Sequence, residues 1–119
     1  MGLNRTVAAV LGVVYLAAGV AGFVSNSPLF GLFEVNTLHN IVHLVFGAAL
    51  LYGVMNTAMA TNINRTIGAI LVVLGILGFV SADGFGIVPL GGADIWLHLA
   101  SGVILLAISM MGSSETVTA

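Results

Sequence analysis

The residues of this chain best suited to chemistry are its histidines, His39, His43 and His98. Asn36, His39, Asn40 and His43 stand at i, i+3, i+4 and i+7, which is one face of a helix, and almost every residue between and after them is apolar. A second stretch, Gly91 to Gly102, echoes the first: at an offset of 55, His43 falls on His98, Gly47 on Gly102 and His39 on Asp94. Imidazoles, amides and a carboxylate in such a setting can hydrogen-bond across helices, each bond contributing about 0.6 kcal/mol on average in a membrane. Two histidines on opposing helices at matched depth could instead ligate one haem iron, or each could hold the magnesium of a chlorophyll. His39 and His43 at i, i+4, with Asp94 and His98, are also of the types that bind zinc or another divalent ion. His39 to His43 lacks the intervening Glu of the metalloprotease motif, and the sequence assigns no metal. Below His43 and His98 the faces continue with Gly47, Gly102 and aliphatic residues, so no ionisable chain carries protons across. No nucleophile stands beside a base, so the chain is not expected to be an enzyme.

The elements that must position these residues are greasy. Hydrophobic residues make up 60% of the 119 and charged residues only 5%, against about 25% charged in a soluble domain. Such a chain cannot keep its surface wet, and lipid is the expected surroundings. A net charge of −2 gives no basis for binding nucleic acid. The absence of cysteine removes disulfides, thiolate metal sites and thiol catalysis.

Four apolar stretches follow in order, at about residues 6–24, 36–55, 66–82 and 92–111, near the roughly 20 residues that cross a bilayer core. The first carries Gly12, Tyr15, Gly19 and Gly22 on one face, the mark of close helix packing in lipid. The third repeats it at an offset of 56, with Gly68, Gly75 and Gly78 in the matching places, although it starts about one turn late. Residues 56–64 are expected as a short polar connection. The loops 25–35 and 83–90 share a Phe-Gly pair, Phe30-Gly31 and Phe85-Gly86, and suit the headgroup zone where aromatic rings concentrate. Each half is then a helical hairpin. Two crossings per half return the chain to its starting side, so the halves are parallel repeats about an axis along the membrane normal.

The fold expected is therefore all-α, a membrane four-helix bundle made of two parallel helical-hairpin repeats: one domain over 1–112, with repeat one at 5–57 and repeat two at 64–112, followed by a polar tail at 113–119. Polar groups at membrane depth normally face a bundle interior. Asn36, His39, Asn40, His43, Asp94 and His98 should thus form one intramembrane polar cluster between the second and fourth helices. Gly47 and Gly102, one turn below each histidine, would give a flat ring room. Arg5 and Arg65, the only basic residues, fall on the same side, and the positive-inside rule makes that side cytoplasmic. Both termini would lie there.

The block from Leu29 to His43, with its Asn-x-x-His-Asn-x-x-His element, resembles a family of small four-helix bacterial membrane proteins catalogued as domain of unknown function 4383. Gly91 to His98 and the glycine-rich first stretch resemble it too. One departure is Glu34, where the family has proline, as the second half does at Pro89. The resemblance implies a bacterial inner-membrane protein and brings no activity with it. Two functions are carried forward. The first is a structural or accessory subunit that packs within the lipid bilayer against other transmembrane helices, its own copies or a larger complex. The second is a tetrapyrrole-binding (chlorophyll or haem) membrane subunit of an energy-transducing complex, ligated by His43 and His98.

Overall fold

A computed structural model describes residues 2–25 and 27–111; the expected tail at 113–119 lies outside the described residues. Four α-helices form: α1 (Leu3–Val24), α2 (Thr37–Gly53), α3 (Thr57–Val80) and α4 (Ala93–Met111). Among the described residues there is no strand, only one isolated bridge between Leu29 and Phe33. By length and composition α1, α3 and α4 can each cross a membrane. At 17 residues, α2 sits at the lower end of the spanning range.

The helices are turned inside out relative to a soluble bundle. The buried face of α1 is Asn4, Ala8, Gly12, Tyr15, Gly19 and Gly22, a helical period of small and polar residues. Val10, Val13, Val45, Val73, Ile76, Val103 and Ile104 point outward. An exterior of this kind is stable only where the surroundings are apolar. This is a small membrane protein.

Glycine decides how the helices meet. In the first hairpin, a methyl placed on Gly12 would lie 2.9 Å from Leu51 Cγ, on Gly19 2.7 Å from Leu44 Cγ, and on Gly47 2.5 Å from the Leu16 backbone nitrogen. Each contact has a counterpart in the second hairpin: Gly68 against the Leu106 nitrogen (2.7 Å), Gly75 against Leu99 Cγ (2.6 Å) and Gly102 against the Val72 nitrogen (2.8 Å). The backbones approach so closely that no side chain fits between them, and dispersion over that contact holds each pair together where lipid offers no hydrophobic drive.

At one end of the molecule polar groups tie the hairpins. Asn64 Nδ2 donates to Asn4 Oδ1 (3.0 Å) and to the Asn4 carbonyl (2.9 Å). Arg5 donates from Nε to the Val54 carbonyl at 2.8 Å, and Arg65 from Nη2 to the Ser109 carbonyl at 2.8 Å. Val54 and Ser109 stand at or beside the C-terminal ends of α2 and α4, where free carbonyls and the helix dipole favour a cation. These bonds put the starts of α1 and α3 and the ends of α2 and α4 at one level, so the two hairpins run in the same direction.

One expectation needs correction. Residues 56–64 are not a connection: α3 begins at Thr57, and only Val54, Met55 and Asn56 link the hairpins. The cause is an N-cap, since the Asn56 side chain accepts from the Met59 backbone N–H at 2.8 Å, which satisfies an orphan donor of the first turn. The third helix is consequently 24 residues long and starts well before the expected residue 66. At the other end, the Phe-Gly pairs are turn tips. Phe30 and Gly31 have φ of 56° and 70°, Phe85 and Gly86 φ of 60° and 77°. Leu32 N donates to the Leu29 carbonyl and Ile87 N to the Gly84 carbonyl, the pattern of a turn with both central residues left-handed.

The glycine contacts predict that Gly47→Val and Gly102→Val each destabilise the protein by about 1–3 kcal/mol through overpacking, whereas Ala48→Val, on an exposed position of α2, stays within about 0.5 kcal/mol. Denaturant titration of helicity in mixed micelles measures both.

Candidate functional site

Above the glycine contacts, α2 and α4 carry their polar residues inward. Asn36 is the N-cap of α2, its side chain accepting from the His39 backbone N–H at 2.8 Å. This cap fixes the start of the helix and places His39 and His43 one turn apart on its inner face. Asp94 occupies the first turn of α4, where the helix dipole favours a carboxylate, and His98 follows one turn later.

The histidines come together. His39, His43 and His98 are each 2% exposed. Their ring centroids lie 4.3 Å apart for His39 and His43, 5.9 Å for His39 and His98, and 6.2 Å for His43 and His98. One nitrogen from each can be chosen so that the three lie within 4.8 Å of one another. Both nitrogens of His43, Nδ1 of His98 and both oxygens of the wholly buried Asp94 have no hydrogen-bond partner among the described residues, and the His39 ring faces only the Glu34 backbone. Leaving a buried donor or acceptor unpaired costs about 1–3 kcal/mol, so this concentration of unpaired groups calls for an explanation.

Two expected members stand apart. Asn36 is exposed, and its Nδ2 donates to the Ile87 carbonyl at 2.9 Å, joining the start of α2 to the second loop instead of entering the interior. Asn40 is buried, but on the side of α1, where its amide fills the space beside Gly22. Sequence reasoning missed Tyr15 as a neighbour of the site. It is wholly buried, its hydroxyl lies 2.6 Å from Ser101 Oγ, and its ring meets His43 edge-on at 5.4 Å. Ser101 Oγ also bonds back to the Leu97 carbonyl of its own helix, so Tyr15 is the donor to Ser101. The signal lay in the position of Tyr15 among Gly12, Gly19 and Gly22.

Cavities of about 220 Å³ and about 410 Å³ border the cluster, and His43 lines both. The smaller is bounded by His39, His43 and His98 with Val42, Phe46 and Leu74. It falls below the range of about 300–1,000 Å³ usual for small-molecule sites. The arrangement does not fit a tetrapyrrole between His43 and His98, because the His39 ring, 4.3 Å from His43 and 5.9 Å from His98, stands beside the line joining them, where the macrocycle would lie. Nor do Gly47 and Gly102 leave room for one: the backbones of Leu16 and Val72 fill those places.

The Tyr15 geometry predicts a small effect for a change that keeps the ring and a large one for a change that removes it. Tyr15→Phe should cost about 0.6 kcal/mol, the average for a bond between membrane helices, since Ser101 keeps its bond to Leu97. Tyr15→Ala should cost about 3–5 kcal/mol. Comparing the two by unfolding in mixed micelles separates the hydroxyl from the packing.

No curated protein and no solved structure matches the chain. A family model does match, that of Domain of unknown function (DUF4383), over residues 5–111. With a match across nearly the whole bundle, including every polar residue of the cluster, the chain belongs to the DUF4383 family.

Proposed function

We propose that the protein is a non-catalytic accessory subunit that packs within the bilayer against the transmembrane helices of a larger complex or of its own copies. The observation that carries this reading is a shallow apolar groove along the outer face of α1, about 480 Å³, lined by Val13, Leu16, Ala17, Val20, Ala21 and Val24. A second groove, about 260 Å³, lies on α3 beside Ala69, Ile70, Val73 and Leu74. Ala69 and Val73 are the counterparts of Val13 and Ala17 at the offset of 56. Small residues along a lipid-facing groove allow another helix backbone to come close. The connections 25–36 and 81–92 are small beside the helices, which suits contact through helices more than recognition in water. Among the described residues the Ser101 hydroxyl is engaged with Tyr15 and a helix carbonyl, which is consistent with the non-catalytic reading.

The matching glycine contacts support reading the hairpins as parallel repeats of one unit. Arg5 and Arg65 at one end favour that end as cytoplasmic, in a bacterial inner membrane, with the Phe30 and Phe85 tips on the outside.

A photoreactive side chain at Ala17 or Ala69 is expected to give adducts heavier than the 12.1 kDa chain in native membranes, and one at Val45, on the exposed face of α2, is not. Finding only uncrosslinked monomer at all three positions would defeat the proposal. Because the chain has no cysteine, Phe30→Cys gives a clean test of orientation: an impermeant maleimide should label it in intact cells, and protection until lysis would reverse the assignment.

A further inference from the structure

The three imidazoles point to a metal centre. We propose that His39, His43 and His98 bind a single divalent transition metal, zinc being the closest fit, and that Asp94 supplies the balancing negative charge. The site goes beyond the accessory role and does not rest on it.

The geometry is near that of a bound ion. For three atoms all within 4.8 Å of one another, a central point lies within about 2.8 Å of each, and zinc–imidazole bonds are about 2.0–2.1 Å. Rotating the rings to move each nitrogen by under about 1 Å closes the site. The rotation breaks no bond of His43 or of His98 Nδ1, which hold none, and His39, whose ring faces the Glu34 backbone, keeps a second nitrogen for the ion. A neutral imidazole offers one lone pair, and three of them converging on one point supply what a three-histidine zinc site needs.

The donor set selects the ion. Three nitrogens with a carboxylate nearby suit zinc, nickel, copper(II) or iron(II), and the lack of any thiolate disfavours softer ions. A divalent ion on neutral ligands in a buried place needs an anion close by. Asp94 is wholly buried, its two oxygens are unpaired, and it stands one turn before His98 on the same face of α4. The fourth position on the ion would face the cavity of about 220 Å³, which has room for water or a small ligand.

The site also has a mechanical role. His39 and His43 belong to the first hairpin and His98 to the second, so the ion bridges the hairpins. It does so at the end away from Asn4, Asn64 and the two arginines, which join them at the other end.

The test uses the full chain in detergent, stripped with a chelator and confirmed helical by circular dichroism, then titrated with Zn²⁺ and separately with Co²⁺. Metal analysis after desalting should show about one ion per chain, Co²⁺ should give the visible bands of a low-symmetry nitrogen-ligated centre, and Zn²⁺ should raise the unfolding temperature. His43→Gln and His98→Gln should each weaken binding by roughly 100-fold or more, beyond the 10–100-fold typical of residues that only support ligands. Asp94→Asn should weaken it less. If the stripped, helical wild-type protein takes up no metal and shows no thermal shift, the proposal fails without reference to any variant. It fails equally if a folded His39→Gln/His43→Gln/His98→Gln protein binds as tightly as wild type.

Discussion

The structure depends on backbone meeting backbone at glycine. In lipid, apolar side chains gain nothing by leaving one apolar medium for another, so helices associate through close packing and interior hydrogen bonds. Gly12, Gly19 and Gly47 let α1 and α2 close to within contact of each other's main chains, and Gly68, Gly75 and Gly102 do the same for α3 and α4. With the hairpins closed in this way, the few polar side chains have one interior to share. The cluster on α2 and α4 is buried where the two closed hairpins meet.

The two ends of the bundle solve the polar problem differently. At the arginine end every bond described is short and paired: amide to amide between Asn64 and Asn4, guanidinium to carbonyl at Val54 and Ser109. At the histidine end, burial is as deep but the bonds are missing. Near Asn4 and Asn64 only Asn64 Oδ1 is buried without a partner, against several imidazole nitrogens and both Asp94 oxygens at the histidine end, a contrast that fits the metal site proposed there.

Much of this was legible in the sequence because the signals were periodic. The glycine face of α1, the i, i+4 histidines of α2 and the offset linking His43 to His98 gave the helices, their pairing into hairpins and the histidines that come together. What stayed hidden came from contacts that periodicity does not encode. Asn56 read as part of a polar linker because an N-cap and a loop use the same residue types. Asn-Arg-Thr occurs at 4–6 and 64–66 and read as a one-turn mismatch in the repeat, whereas Asn4 and Asn64 are partners of each other. Asn36 lay on the right helical face, yet as a cap it sits half outside the helix and turns to Ile87. Glycine next to a histidine suggested clearance for a ring, and only the position of Leu16 shows that a helix already fills it.

The link of Val54, Met55 and Asn56 has a further consequence. Three residues reach no more than about 11 Å, so once the first hairpin is inserted the second is held against it at an effective concentration in the millimolar range or above. Docking of the halves is then an intramolecular step that a handful of bonds of about 0.6 kcal/mol each can complete. The same tether disfavours exchange of hairpins between neighbouring copies, because a leash this short cannot reach across to another bundle.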